Sequence, residues 1–139
     1  MKEEIEKFCR EFEIINYIIN DDFSIDVHGN INFNLHKFTN GKIPYKFNIV
    51  YGFFACSGCG LTTLENSPNK VYGNYSCSGN YITSLKGCPD FVSGKFVCFS
   101  NSRLENINDY IGDLEKLRFS VNREKLVRKY KLNKLCQKL

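Results

Sequence analysis

The sequence repeats itself with a period of 21 residues, and this period constrains the fold more than any other feature. Copies begin at Val50, Val71 and Val92, and the same residue types return at the same places in each copy. A weaker copy begins at Val27 and contains two extra residues around Gly41. Self-similarity at a short fixed period is typical of a solenoid, in which each coil packs only against its neighbours. The chain is therefore predicted to form about three and a half coils of a solenoid.

Alternating apolar positions indicate a strand in every coil. An aromatic residue and, two residues later, a cysteine recur at the repeat period, as in Phe54 and Cys56. This period of two is typical of a strand with one buried face. Residues such as Leu61 and Leu64 supply a second apolar wall on the return leg. A glycine such as Gly52 precedes each strand, where it can take a positive φ angle or let neighbouring coils approach closely.

An asparagine stands three residues after the cysteine in two of the copies, at Asn80 and Asn101, and Cys59 occupies that place in the preceding copy. A buried Asn amide there can bond the backbone of neighbouring coils, which a tight corner otherwise leaves unpaired. The pattern F-x-C-S-x-N-x-[LI]-[TS]-x-L resembles the leucine-rich repeat, with aromatic and cysteine residues in place of the first leucines.

Two longer runs, TSLKGCPDFVSGKFVCFSN and IINDDFSIDVHGNINF, resemble a family of short repeat proteins encoded by large tailed bacteriophages. The resemblance spans about residues 15–107 and implies a leucine-rich-repeat-like solenoid. The chain departs from the pattern at Cys59, at Ser67 where the next copy has Cys88, and in the two-residue expansion of the first copy. These departures concern the local shape of the coils.

The segments that flank the repeats predict the polar-faced caps that a solenoid needs. Apolar residues at helical spacing predict an amphipathic helix over about residues 2–13. Two β-rich runs about Asn20 predict a hairpin, and a helix continuing to Ile19 is the alternative. The strand pattern stops after Gly112. We therefore expect a single-domain α+β solenoid over 1–139. Residues 1–26 form an N-terminal cap of a helix and a hairpin, and residues 113–139 form a C-terminal helical cap. Residues 27–112 form leucine-rich-repeat-like coils, with a short parallel sheet on one side and irregular turns on the other.

Composition argues against several classes of protein. An apolar content of 42% and a charged content of 24% are ordinary for a globular chain. No apolar run approaches the roughly 18 residues of a membrane span, and the acidic, amphipathic N-terminus is unlike a signal peptide. Seven cysteines cannot all pair within one chain. Reduced thiols and a cytoplasmic location are therefore expected.

The spacing Cys56-x-x-Cys59, with Cys77, Cys88 and Cys98 downstream, raises the hypothesis of a zinc site. The register argues against it, because three of these cysteines recur at the repeat period and behave as small buried hydrophobes. A disulfide between coils is a further alternative, since adjacent strands lie about 4.8 Å apart. Core packing is the preferred interpretation, and no metal site is predicted.

Nothing in the sequence indicates catalysis. His28 and His36 have no nucleophile or paired carboxylate nearby and are interpreted as surface residues. The acids Asp21, Asp22 and Asp26 are explained by a turn more simply than by a cation site. Glycine-rich phosphate loops, nucleophile elbows and ligand-spaced histidine pairs are absent from the sequence. We therefore predict no catalytic residue, no cofactor and no small-molecule substrate.

The outward-facing residues of the strands are the expected binding surface, as in other repeat proteins. Alternate positions along the strands are Asn30, Asn32, Asn34, Phe53, Ala55, Ser57, Asn74, Ser76, Ser78, Lys95, Val97 and Phe99. The predicted partner-binding residues among them are Phe53, Ser57, Asn74, Ser76, Lys95, Val97 and Phe99. The strand face covers only about 250 Å², whereas a stable complex buries about 800 Å² per partner. Loops or an end cap must therefore contribute.

Charge is distributed unevenly along the chain. Residues 1–22 carry three bases and seven acids, a net of −4, and residues 113–139 carry nine bases and three acids, a net of +6. The last segment is predicted to cap the solenoid, with Leu135 sealing the last coil, or alternatively to bind phosphates or an acidic protein. The predicted phosphate contacts are Arg123, Lys125, Arg128, Lys129, Lys131 and Lys134.

These observations favour a binding protein. The resemblance, together with the absence of catalytic motifs, leads us to expect a phage accessory protein that binds a host protein in the host cytoplasm during infection and inhibits or redirects it. Nucleic-acid binding through the basic C-terminal helix is the alternative, and an enzyme is third.

Overall fold

Two sheets run along the solenoid, and each coil passes from one sheet to the other through a glycine corner. The computed structural model describes residues 1–119 and 123–138. In chain order the elements are α1 (Lys2–Glu11), β1 (Tyr17–Ile19), β2 (Ile25–Val27), β3 (Ile31–Asn32), β4 (Phe47–Val50), β5 (Phe54–Ala55), β6 (Lys70–Val71), β7 (Tyr75–Ser76), β8 (Phe91–Val92), β9 (Phe96–Val97), β10 (Leu117–Arg118) and α2 (Arg123–Gln137), with 3₁₀ turns at Thr39–Gly41 and Leu114–Lys116.

The first sheet has the order β1-β2-β4-β6-β8 and the second has the order β3-β5-β7-β9-β10. All pairs are parallel except β1 with β2. The predicted solenoid with parallel strands and a helix at each end is confirmed, with about four coils. The expectation of a single sheet is wrong, because a second one is present, whereas the return leg of the coils consists of irregular turns as expected. The valines that begin each copy, such as Val50 and Val71, form a ladder of their own before the glycine corner.

The N-terminal cap has the predicted helix and hairpin. Helix α1 ends at Glu11, where the chain turns and takes a positive φ of 56° at Glu13. Strands β1 and β2 pair in the register Tyr17↔Val27, so the alternative of a helix continuing to Ile19 is wrong. Aromatic residues of α1 pack on the first coil, with the ring centroids of Phe12 and Phe33 4.9 Å apart.

Strand pairing continues beyond Gly112, where the sequence pattern predicted that strands stop. A 3₁₀ turn leads into β10, which adds a fifth strand to the second sheet in the register Leu117↔Phe96. Leu117 is fully buried. Leu117 and Phe119 are buried at alternate positions, as Phe96 and Cys98 are, so the segment carries a strand signal that the sequence reasoning missed. Helix α2 spans Arg123–Gln137.

A stack of aromatic rings fills the centre of the solenoid. Phe33, Phe54, Tyr75 and Phe96 stand in register, with successive ring centroids 5.6, 5.8 and 4.9 Å apart. The Tyr75 hydroxyl shares a hydrogen bond of 2.8 Å with the buried Ser67 hydroxyl. This pairing explains one departure from the repeat, because the next coil has a phenylalanine in place of the tyrosine and has Cys88 in place of the serine.

Two asparagine side chains bond the backbone of successive coils, as the sequence predicted. Asn80 accepts hydrogen bonds of 3.0 Å from the backbone N–H groups of Cys59 and Leu61. Its amide donates to the carbonyls of Cys56 and Cys77, at 2.9 and 3.0 Å. Asn101 repeats this arrangement one coil further on. Cys59 lies where a third asparagine would stand, and its thiol donates to a carbonyl of the first coil.

The corner glycines allow adjacent coils to approach closely. A Cβ atom at Gly52 would overlap the side-chain oxygen of Asn30, which accepts a hydrogen bond of 2.9 Å from the Phe53 N–H. Gly94 stands in the same relation to Asn74. The need for glycine here is therefore a matter of space, and neither residue has a positive φ.

We predict that Gly52→Ala destabilises the fold by about 1–3 kcal/mol, because the new methyl group forces the coils apart. Gly29→Ala is the matched control, since a Cβ at Gly29 meets no atom within 4 Å. It should change the free energy of unfolding by less than about 0.5 kcal/mol. Denaturant unfolding of both variants measures the difference. Equal effects would contradict the close-approach explanation.

Candidate functional site

The second sheet presents the predicted partner-binding residues at its outer surface. Phe53 and Phe99 are 38% and 42% exposed, and Asn74 and Lys95 are also exposed. Three further members are half-buried, namely Ser57, Ser76 and Val97. Ala55 does not belong to this surface, because it is only 8% exposed. Its side chain is short, and it lies between Asn32 and Ser76 of the neighbouring strands.

Hydrogen bonds between coils engage the polar side chains of this strand face. The hydroxyls of Ser57 and Ser76 share a hydrogen bond of 2.7 Å, and the Phe99 N–H donates to the Ser78 hydroxyl at 2.9 Å. Asn74 accepts from the Lys95 N–H at 2.8 Å. These groups hold successive coils together. The sequence reasoning, which took them as free binding groups, missed this role.

The first sheet carries a similar polar ladder. The Asn48 amide donates to Asp26 at 2.9 Å, and the Asn69 amide donates to the Asn48 oxygen at 2.9 Å. The Lys46 ammonium donates to the Asn69 oxygen and to the Ser67 carbonyl. Burial lowers the pKa of Lys46, although the negative charges of Asp90 and Asp22 act in the opposite direction. Side chains on this sheet are thus also bonded from coil to coil.

Four exposed rings form a continuous row beside the glycine corner. They are His28, Tyr51, Tyr72 and Phe91, with successive ring centroids 4.5, 5.4 and 5.3 Å apart. We call this row the aromatic ridge. Tyr51 and Tyr72 are each 47% exposed. The sequence reasoning missed the ridge, although its signal is present, since both tyrosines directly precede a corner glycine at the repeat period.

Phe53 joins the ridge to the strand face. It lies two residues after Tyr51, on the other side of Gly52, and its ring is exposed. The ridge and the strand face therefore adjoin along the corner of the solenoid. Their combined surface is aromatic along the corner and mainly polar on the sheet. Many of the polar groups on the sheet already form hydrogen bonds between coils.

The C-terminal helix uses several of its basic residues to hold the last coil. Three of the predicted phosphate contacts donate to backbone carbonyls: Arg123 to Leu114, Lys129 to Glu105 and Lys134 to Asn108, at 3.4, 3.4 and 3.2 Å. The other three, Lys125, Arg128 and Lys131, are exposed. The structure therefore separates the six residues into two groups.

The apolar contacts of α2 differ from those predicted. Leu126 is buried, and the Tyr130 hydroxyl donates to the Tyr110 carbonyl at 2.8 Å. Leu135 was expected to seal the last coil, but it is 59% exposed. Leu126 and Leu135 are nine positions apart, which is about two and a half turns of a helix. They therefore lie on opposite faces, and Leu135 points away from the coil that Leu126 contacts. Leu139 lies outside the described residues.

Both histidines take part in ring contacts at the surface. His28 stacks on Tyr51, and His36 packs edge-on against Phe12 and Phe38, with centroids 4.8 and 4.7 Å away. Their predicted surface positions are confirmed. His36 lines a cleft of about 500 Å³ between α1 and the first coil.

The cysteine column is buried, as predicted. All seven cysteines lie within the described residues and carry free thiols. Burial raises the pKa of Cys98 to about 12 and places the pKa of Cys77 well above its ordinary value. Within the described residues, no group of three or more His, Cys, Asp or Glu side chains is placed to hold a metal ion.

The buried thiols predict a loss of stability at alkaline pH. An unfolded thiol ionises near its ordinary pKa of 9.0, whereas the folded Cys98 keeps its proton to about pH 12. The folded state therefore binds more protons in this window, and the free energy of unfolding falls as pH rises above about 9. Denaturant unfolding between about pH 7 and pH 11 measures the slope. The exposed Cys136→Ser should leave the slope unchanged, and Cys98→Ala should reduce it.

Comparison with known protein families, curated proteins and solved structures finds no match to this chain. The fold itself is a β-solenoid with a helix at each end. No helix within 1–119 or 123–138 is long and apolar enough to cross a bilayer.

Proposed function

We propose that this chain acts by binding another protein, rather than by catalysis, and that the aromatic ridge is its main contact. The observation that supports this most is the row of four exposed rings across four coils. Tyrosine is enriched among the few residues that carry most of the energy of protein interfaces. Tyrosine offers an apolar ring and a hydroxyl at the same place.

The internal bonding of the polar side chains supports the same assignment. A partner that bonded to Ser57 or Ser76 would compete with a bond that already joins two coils. Exposed rings bring no such loss, because contact with a partner removes their apolar edges from water. The ridge, Phe53 and Phe99 are therefore the proposed anchors, and the strand face supplies the surrounding surface.

The identity of the partner rests on the sequence resemblance alone. Short repeat proteins of large tailed bacteriophages resemble this chain over about residues 15–107. We therefore place the protein in the host cytoplasm during infection, where it binds a host protein and inhibits or redirects it.

The ridge is tested by changing Tyr51 and Tyr72 to alanine together. A partner recovered from host lysate should bind the double variant at least about 30-fold more weakly, as for the loss of a hot spot of about 2 kcal/mol. Phe53→Ala should weaken binding as well. Titration of the purified partner by calorimetry measures each affinity.

Tyr81→Ala is the matched control, since this tyrosine is 50% exposed on the return leg and packs under Arg103. It should leave the affinity unchanged. Binding that survives the double change at the ridge, or that depends equally on Tyr81, would show that the ridge is not the contact. Circular dichroism melting should show that each variant remains folded.

Nucleic-acid binding through α2 is the second candidate, supported by the exposed Lys125, Arg128 and Lys131. If these three cations contact phosphates, the logarithm of the affinity for DNA should fall with the logarithm of salt at a slope of about −3. Replacement of all three by glutamine should abolish the salt dependence and leave stability nearly unchanged. Fluorescence anisotropy with labelled DNA and RNA measures both. A salt-independent affinity would exclude this candidate.

A further inference from the structure

Helix α2 has apolar residues on two opposite faces. Leu126 and Tyr130 pack against the last coil. Leu132 and Leu135 lie on the far side, 55% and 59% exposed. We call the far side the α2 outer face and define it by Arg128, Lys131, Leu132 and Leu135. These residues line a shallow groove together with Arg123, Glu124 and Val127, and Val127 also packs against the core.

The α2 outer face combines cations with leucines. Residues four apart are neighbours on a helix, so Arg128 lies beside Leu132 and Lys131 lies beside Leu135. A surface that binds only phosphates needs the cations and gains nothing from the leucines. The leucines fit a partner surface that is apolar as well as acidic.

The opposite end of the molecule has this complementary character. The first 22 residues carry a net charge of −4, and Glu11 and Glu13 are exposed there. Ile15 and Ile18 are 83% and 56% exposed. Strand β1, which contains Ile18, is the edge strand of the first sheet and has a neighbour on one side only. Exposed edges of this kind are sites at which another chain can add.

We propose that the α2 outer face binds the N-terminal end of a second copy of this chain, so that solenoids join end to end. The contact pairs opposite charges and covers exposed apolar residues on both copies. Because it joins two different surfaces, the contact is heterologous and produces a ring or an open chain of copies. This surface is separate from the aromatic ridge and does not depend on the function proposed for the ridge.

The size of the contact sets its strength. A helix of 15 residues is about 22 Å long and about 10 Å wide, so its outer face covers about 220 Å². A stable interface buries about 800 Å² on each partner. The association is therefore expected to be weak and reversible, visible from micromolar to millimolar concentration, and weaker at high salt because charges contribute.

Sedimentation velocity across this concentration range tests the proposal. The average sedimentation coefficient of the unchanged chain should rise with concentration at low salt and rise less at high salt. Leu132→Gln with Leu135→Gln should abolish the rise without lowering the melting temperature, since both side chains are exposed. Lys86→Glu, an exposed change on the side of the solenoid, should leave the rise unchanged.

A charge-swap pair identifies the occupant as a second copy. One variant carries Arg128→Glu and Lys131→Glu, and the other carries Glu11→Lys and Glu13→Lys. Each variant alone should remain monomeric, because the changed side chains that meet in the proposed contact then face charges of their own sign. An equimolar mixture should associate again, since each acidic end then meets a basic one. A mixture that stays monomeric overturns the proposal. An unchanged chain that is monomeric at every concentration also overturns it, even if that chain binds anionic vesicles or RNA.

Discussion

The structure depends on bonds from side chains to the backbone of the next coil. Most strands of this solenoid have only two residues. Backbone bonds between coils continue beyond the strands, as from the Gly58 N–H to the Ser78 carbonyl at 2.9 Å, but they do not reach every group of the buried corner. The buried corner is bonded instead by amides, and Asn80 alone contacts the backbone of two coils through four hydrogen bonds of 3.0 Å or less. A buried backbone group without a hydrogen-bond partner would reduce the stability of the fold by about 1–3 kcal/mol, because it has lost its hydrogen bond to water. The recurring asparagine therefore complements the short strands by bonding backbone groups of the buried corner.

The same requirement determines what the surface can offer to a partner. Asn30 and Asn74 sit at the corner and accept bonds from the following coil, and the serines of the strand face pair with one another. Much of the polar surface is thus part of the framework. The exposed apolar groups include aromatic rings at the corner and aliphatic residues at the two ends. Both proposed contacts lie there.

The period predicted the solenoid, its buried cysteines and its inter-coil asparagines, because a repeated residue in a repeated coil has the same surroundings each time. It did not predict the second sheet. A strand such as β6, with one buried and one exposed residue, has no pattern of its own. The ridge was missed for a related reason. Tyr51 and Tyr72 recur at the repeat period, but the strands were taken to begin only after the glycine, so their rings were not considered as a surface.

The exposed side of α2 was mispredicted for a different physical reason. Leucines on two faces of one helix give no clear amphipathic pattern, so the sequence does not indicate which leucine faces the core. The structure resolves this through Tyr130, whose hydroxyl bonds to the last coil and fixes the rotation of the helix. With that rotation, Leu126 is buried and Leu132 is turned outward. A cap that only shielded the last coil would need one apolar face. The second face, between cations, is therefore the part of this cap that its structural role leaves unexplained, and contact with another surface is the role that would account for it.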